Sequence, residues 1–213
     1  MIDVFHFNSS VSQKQFEKHL YVAAKQVVLP ITHRGIADNR AIKDFSASVL
    51  KVGFIGSETP YKGLPVLKQT LSKIDSRCWR LDVWGGRTEV SADSPIRFRG
   101  KFNKSMISKV YGEMDLLVVP SIWQETFSLV TLEALSYGVP VLVSKNVGAK
   151  DVVREYDDYF IYNTVDELEQ KIRYLIIDKN RLKIFNQKIM QKSWKHDVFE
   201  HAKNVVEKLY NLG

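Results

Sequence analysis

The stretch DLLVVPSIWQETFSLVTLEALSYGVPVLVS, residues 115–144, carries the strongest structural signal in this chain. It opens with an apolar run that ends at Pro120 and closes with a second apolar run, residues 139–143. The segment between the two runs contains a loop and a stretch with helical spacing of its apolar residues. A strand, a loop, a helix and a strand in this order are typical of parallel strands joined by a crossover helix. We therefore expect an α/β fold built on a parallel sheet.

The same alternation of short apolar runs and amphipathic stretches covers residues 50–147, and turn-forming glycines separate the runs. The predicted strands are 50–55, 80–84, 96–99, 116–119 and 139–143. The predicted helices are 63–74, 104–113, 127–137, 149–154, 165–177, 180–192 and 198–212. The first 45 residues add a strand at 4–7, a helix at 13–24, an apolar segment at 27–31 and a polar linker at 33–40. These elements are too few to bury a core alone, so we interpret them as part of something larger.

Two glutamates mark the candidate site, Glu125 and Glu133, with seven residues between them. With a helix start near Phe127 or Ser128, Glu125 lies in the loop after the strand, and Glu133 lies about two turns into the helix. The helix N-terminus between them offers N–H groups and a positive dipole end to a phosphate, and each carboxylate can accept bonds from hydroxyl groups. A nucleotide sugar has this distribution of groups. The plain alternative is a loop cap and a charge on a helix face.

A lysine provides the second signal. Lys62-Gly63 follows the predicted strand 50–55 and a polar loop, just before a predicted helix. Lys62 should therefore lie on the same rim of the sheet as Glu125, where its ammonium can neutralise a diphosphate that leaves as a sugar is transferred. A surface lysine is the alternative when this signal is taken alone.

The composition favours a globular protein with anionic partners. The chain has 213 residues, of which 45% are hydrophobic, and a net charge of +7. It has no apolar run of membrane-spanning length and no signal-peptide pattern, so we expect a cytoplasmic protein. Part of the basic excess falls on helical sequence near the C-terminus: Lys179, Arg181, Lys183, Lys188, Lys192 and Lys195. This cluster is either a solvated helix face or a surface for peripheral contact with anionic lipids, and no nucleic-acid motif accompanies it.

Several chemistries lack their motifs in this sequence. We find no Walker phosphate loop, no Gly-x-Gly-x-x-Gly fingerprint and no Asp-x-Asp pair, so we expect no cofactor and no metal. The serines lack a Gly-x-Ser-x-Gly elbow, and the histidines lie outside the central α/β region. A glycoside hydrolase would need a general acid and a second carboxylate facing one bond, and Glu133 is badly placed for that inside a helix.

From about Lys51 to Val153, the sequence resembles the retaining, nucleotide-sugar-dependent glycosyltransferases of family 4. The motifs that carry the resemblance are Gly56, Lys62-Gly63, the strand and turn 81–86, Phe98-Arg99-Gly100, Asp115, Pro120-Ser121, the pair Glu125 and Glu133, and Gly138-Val139-Pro140-Val141. The implied fold class is α/β, a Rossmann-like parallel sheet with helices on both faces, as in the C-terminal half of a GT-B fold. The implied domains are a remnant of an N-terminal acceptor domain with its linker (1–45), a donor-binding domain (46–195) and a C-terminal helix (196–213).

The resemblance also implies roles for single residues. Glu133 would accept bonds from the ribose hydroxyls and Glu125 from the transferred sugar, and Glu125 and Lys62 would be the catalytic residues. The implied donor-binding set is Gly56, Ser57, Lys62, Gly100, Glu125, Thr126, Phe127, Ser128, Leu129 and Glu133. Two departures from the family pattern matter: Ser57-Glu58 stands where an arginine often follows the glycine, and Thr126 and Ser128 stand where glycines are common.

The expected function is transfer of a sugar from a UDP- or GDP-type donor to a glycan or lipid-linked acceptor, in lipopolysaccharide, O-antigen or capsule synthesis. Because most of the acceptor half would be missing, we expect this chain to have little or no activity alone. The alternative is a module that binds nucleotide sugars without turnover. A phosphorylase of the same fold would need a lysine that holds pyridoxal phosphate, and we find no convincing one.

Overall fold

The computed structural model describes residues 2–21, 23–89, 91 and 93–210. Its strands are β1 (Val4–Phe7), β2 (Lys25–Val28), β3 (Leu50–Ile55), β4 (Trp79–Trp84), β5 (Thr88–Glu89), β6 (Ile96–Gly100), β7 (Leu116–Val119), β8 (Val141–Ser144) and β9 (Ile161–Tyr162). Its α-helices are α1 (Ser10–Glu17), α2 (Leu64–Ser72), α3 (Ile107–Gly112), α4 (Leu129–Ser136), α5 (Lys150–Arg154), α6 (Val165–Ile177), α7 (Asn180–Gln191) and α8 (Val198–Val205), which continues as a π-helical segment, Val206–Tyr210. None of the described helices is long and apolar enough to cross a bilayer.

Seven strands form the main sheet in the order β5-β6-β4-β3-β7-β8-β9. All neighbouring pairs are parallel except β5 and β6. Every residue of β7 and β8 is buried, which means that both faces of the sheet are covered. The predicted fold class, a Rossmann-like parallel sheet between helices, is confirmed.

The core explains why the apolar runs of the sequence were informative. Leu67 and Leu71 of α2, Leu132 and Leu135 of α4, and Phe185 of α7 are fully buried against the sheet cluster. Burial of each such side chain contributes about 1.5–3 kcal/mol. Helices therefore cover a sheet in which β7 carries only apolar residues and β8 carries them up to Ser144.

The N-terminal elements form a small unit beside the main sheet. Strands β1 and β2 pair in parallel, and only three hydrophobic residues of the unit are buried among those described: Phe7, Val11 and Leu29. The unit is attached to the main domain by two serines at the start of α1. The Ser9 hydroxyl donates to the Thr126 carbonyl (2.6 Å), and the Ser10 hydroxyl donates to the Asp151 carboxylate (2.7 Å).

Several predicted boundaries were wrong. Helix α4 begins at Leu129, two residues after Phe127, because Ser128 has a left-handed backbone with φ 101°. Helix α1 begins at Ser10, where the Ser9 side chain caps it, and ends at Glu17 rather than residue 24. Strand β8 begins at Val141 instead of residue 139. The predicted spans 13–24 and 198–212 also include residues 22, 211 and 212, which lie outside the described residues.

Candidate functional site

The carboxyl ends of the parallel strands meet at one rim of the main sheet. The Gly56 amide donates to the Trp84 carbonyl, and the Gly85 amide donates to the Gly100 carbonyl, both at 2.9 Å. Gly56, at the end of β3, and Gly100, at the end of β6, therefore lie on the same rim on either side of β4. Ser57 follows Gly56 in the chain and is exposed. Its hydroxyl lies 2.8 Å from the Thr59 hydroxyl.

Lys62 reaches this rim because the chain approaches the end of β7 very closely. Gly63 has φ 80°, and a Cβ added to it would lie 1.8 Å from the Pro120 carbonyl oxygen. A residue with a side chain cannot occupy this position without moving the backbone. The glycine thus brings the turn that carries Lys62 against the loop that carries Glu125.

Glu125 is held in place at both carboxylate oxygens. Lys62 Nζ donates to Oε1 at 2.9 Å, and the Ser121 hydroxyl donates to Oε2 at 2.6 Å. The backbone is fixed as well, because the Glu125 amide donates to the Asn146 carbonyl (2.9 Å) and its carbonyl accepts from the Gly148 amide (2.8 Å). The side chain keeps 19% of its surface exposed, so its oxygens remain within reach of a ligand.

A small cavity of about 150 Å³ brings the predicted groups together. Its polar lining is Gly56, Lys62, Ser121, Glu125 and Ser128, with Leu129 and Val130 of the first turn of α4. The first N–H groups of a helix have no intrahelical partner and carry a positive partial charge. The cavity therefore combines an ammonium, a carboxylate and a helix N-terminus within one small space.

The other predicted donor-binding residues do not line this cavity. The Thr126 carbonyl accepts from Ser9, and the Phe127 carbonyl accepts from the Ala149 amide at 2.8 Å, while the Phe127 ring is buried. Ser57 and Gly100 lie on the rim beside the cavity. The binding roles of these four residues, like those of the residues that line the cavity, stay predictions.

Glu133 lies about one turn into α4, because the helix begins at Leu129 and not at Phe127 or Ser128. Its Oε2 accepts from the Tyr111 hydroxyl at 2.7 Å, and its Oε1 lies 3.3 Å from His33 Nε2. Burial, together with the neighbouring Glu133 carboxylate, raises the pKa of Tyr111 well above its ordinary value, so the hydroxyl keeps its proton and donates. The carboxylate is thus oriented by two groups that the sequence did not reveal.

Neither contact of Glu133 had a signal in the sequence. His33 lies in the segment predicted as a linker, and Tyr111 is a buried residue of α3 whose ring stacks on Tyr137. The histidines were predicted to be structural or surface residues outside the central region. His33 instead reaches one of the two marker glutamates.

A guanidinium lies near the position directly after Gly56, where the family that the sequence resembles often has an arginine. Arg87, in the turn after β4, donates its amide to Glu58 Oε1 at 3.1 Å, and its guanidinium lies 3.6 Å from Glu58 Oε2 and 4.2 Å from the centre of the Phe98 ring. The guanidinium of Arg87, from the turn between β4 and β5, therefore lies next to the loop 56–58. Among residues 2–21, 23–89, 91 and 93–210, no group of three or more His, Cys, Asp or Glu side chains lies close enough together to hold a metal ion.

Comparison with known proteins identifies the family. Residues 49–178, more than half of the chain, match the family model of the glycosyl transferases group 1, and the chain belongs to that family. Its fold is that of the C-terminal domain of a GT-B glycosyltransferase, as the motifs implied. The finer assignment to family 4 stays a prediction.

Three known proteins show the extent of this similarity. Sulfoquinovosyl transferase SQD2 of Arabidopsis thaliana is 29% identical over 158 residues, which cover 70% of this chain and 30% of that protein. HepE of Anabaena, solved in complex with UDP and glucose, superposes with a TM-score of 0.78 at 20% identity and covers 99% of this chain and 63% of HepE. WaaG, a glycosyltransferase involved in lipopolysaccharide biosynthesis, superposes with a TM-score of 0.71 at 15% identity, over 97% of this chain and 62% of WaaG. The chain spans less than two-thirds of each of these proteins.

Proposed function

We propose that this chain is the donor-binding part of a retaining glycosyltransferase that uses a nucleoside diphosphate sugar of UDP or GDP type. The convergence of Lys62, Glu125 and the N-terminus of α4 on one cavity carries this proposal. UDP bound to the structurally similar HepE supports a nucleotide ligand. In this assignment the diphosphate binds Lys62 and the first amides of α4, and the ribose hydroxyls bind Glu133.

The chemistry follows from where charge develops during transfer. Transfer breaks the bond between the anomeric carbon and the phosphate oxygen and leaves the electron pair on that oxygen. The acceptor hydroxyl forms the new bond to the same carbon and gives its proton to the departing diphosphate. The ammonium of Lys62 and the N–H groups of α4 stabilise that negative charge. The Glu125 carboxylate accepts bonds from the hydroxyl groups of the sugar and favours the positive character that its ring acquires. No metal is needed for this neutralisation.

We extend the proposal to the acceptor. WaaG acts in lipopolysaccharide synthesis and SQD2 transfers sulfoquinovose, so a glycan or lipid-linked acceptor fits the relatives. The proposed location is the cytoplasm, in peripheral contact with anionic lipid, and the exposed Lys183 of α7 is the residue that supports this contact. Arg181 and Lys188 are instead paired with Asp157 at 2.9 and 3.1 Å. Synthesis of lipopolysaccharide, O-antigen or capsule would be its pathway, and a further N-terminal domain would be its partner.

Titration calorimetry against a panel of uridine, guanosine, adenosine and thymidine diphosphates tests the donor site. We expect one diphosphate to bind with a dissociation constant in the micromolar to millimolar range. The corresponding nucleotide sugar should bind at the same site. Failure of all four diphosphates to bind would overturn the proposal. A transfer assay with the nucleotide sugar that binds and a simple sugar acceptor then distinguishes an enzyme from the alternative, a module that binds without turnover. The small N-terminal unit favours that alternative for this chain alone.

A further inference from the structure

Ser128 shows three departures from the ordinary behaviour of a serine before a helix. It has φ 101°, a left-handed value that no other residue besides glycine adopts in the part of the chain that the structure describes. It occupies the N-cap position of α4, yet its side chain makes no capping bond. Its hydroxyl is buried without a protein hydrogen-bond partner, and the residue is only 7% exposed.

Each departure costs stability. A left-handed backbone strains a residue that carries a Cβ. A serine N-cap normally satisfies an amide of the first turn, and an unpartnered buried hydroxyl loses its hydration without compensation. Strain and an orphaned hydroxyl at one residue are typical of a functional site.

The position of Ser128 indicates what its hydroxyl serves. It lines the same cavity as Lys62 and Glu125, whereas Glu133 does not line it. In the proposed function, on which this inference rests, Glu125 faces the sugar and Glu133 faces the ribose. A group in the Glu125 cavity therefore lies at the sugar end of the diphosphate.

We propose that the Ser128 hydroxyl donates a hydrogen bond to the sugar-bearing phosphate of the donor and makes this site selective for nucleoside diphosphates over monophosphates. A glycine at this position would bring neither the strain nor such a donor. In this chain the serine adds a neutral donor beside Lys62 and the amides of α4. The hydroxyl that lacks a protein partner thus acquires a charged one when donor binds.

The test compares the affinities of two ligands across variants: the diphosphate that binds tightest in the panel above, and its monophosphate. Ser128→Ala and Ser128→Gly remove the hydroxyl, and the alanine variant keeps the Cβ while the glycine variant relieves the strain. Thr131→Val is the matched control, because Thr131 is a buried residue of α4 whose hydroxyl also lacks a partner but does not line the cavity.

We expect the diphosphate to bind about tenfold more weakly to both Ser128 variants, as for a lost bond to a charged group, with monophosphate affinity unchanged. The Thr131→Val variant should keep both affinities, and the melting temperature of Ser128→Ala should not fall. Equal losses for the two ligands, or an unchanged diphosphate affinity, would overturn this role for Ser128 while leaving the donor site intact. Absence of any diphosphate binding to the unmodified chain would instead overturn the donor site itself.

Discussion

The Lys62 ammonium lies 2.9 Å from Glu125 Oε1, so the two predicted catalytic residues form an ion pair. They are 63 positions apart, and the close approach of Gly63 to Pro120 brings them together. Their side chains are 32% and 19% exposed, which leaves the pair accessible from the cavity. A bound diphosphate would compete with Glu125 for the ammonium, and the carboxylate would then be released toward the sugar.

Replacement of Lys62 by methionine should weaken binding of nucleoside diphosphates by about 1.5–3 kcal/mol, the range for a hydrogen bond to a charged group. The variant loses the cation that neutralises the diphosphate, and titration calorimetry measures the loss. Lys109→Met, on the exposed side of α3, serves as the control and should leave binding unchanged. Wild-type affinity of the Lys62 variant would mean that the lysine forms a surface ion pair and nothing more.

Replacement of Glu133 by alanine should weaken nucleoside diphosphates and nucleoside monophosphates alike, by about 1.5–3 kcal/mol, because both ligands contain the ribose. This pattern distinguishes Glu133 from Lys62, whose loss should affect the diphosphate more. Glu113→Ala removes a carboxylate from the exposed end of α3 and is the control. If only the diphosphate lost affinity, Glu133 would not be the ribose ligand.

The sequence predicted the architecture well because the signal was local. The segment 50–55 carries four large apolar residues, Leu50, Val52, Phe54 and Ile55, and strand β3 has these same bounds. The strand-loop-helix-strand unit of residues 115–144 was recognised for the same reason, since β7 and β8 are buried on both faces. Strand β5 was missed because a two-residue exposed strand has no apolar pattern.

The candidate site was predicted less completely because its details are tertiary. The meeting of Lys62 and Glu125 followed from the rule that the carboxyl ends of parallel strands share a rim. The predicted position of Glu133, about two turns into the helix, was wrong because the left-handed backbone of Ser128 makes α4 begin at Leu129. A serine in the sequence does not predict that conformation. The contacts of Glu133 with His33 and Tyr111 join segments 100 and 22 positions away, which no spacing rule relates.

Replacement of Gly63 by alanine should destabilise the fold by about 2–4 kcal/mol, because the residue has φ 80° and its new Cβ would meet the Pro120 carbonyl. The displaced turn should also weaken diphosphate binding. Chemical denaturation measures the first effect and calorimetry the second. Gly112→Ala is the control, since an added Cβ at that helical position meets nothing within 4 Å and should stabilise the chain by about 0.5–1 kcal/mol. Similar results for the two variants would contradict the close approach of Gly63 to β7.

Binding of nucleoside diphosphates should persist in an excess of a chelator. Lys62 and the N-terminus of α4 provide the positive charge at the cavity, and no group of metal-ligating side chains occurs among the described residues. Calorimetry with and without the chelator, and with added magnesium or manganese, measures the dependence. Loss of binding in the chelator with recovery on addition of either ion would contradict this prediction.

His196 should make the fold sensitive to acid. Burial, aided by the charge of Arg40, lowers the pKa of His196 to about 4 from its ordinary value of 6.5, and its ring packs edge-on against Trp194. Between these two values the unfolded chain binds a proton that the folded chain does not bind, so stability falls as the pH falls from about 6.5 to 4. We expect this group to contribute a loss of about 1–3 kcal/mol across that window and none above pH 7.

Denaturation curves of the unmodified chain and of His196→Gln, measured at several pH values, isolate the contribution, with the exposed His19→Gln as the control. The same loss between pH 6.5 and 4 in the unmodified chain and in His196→Gln would show that carboxylates, and not the buried imidazole, are responsible for it.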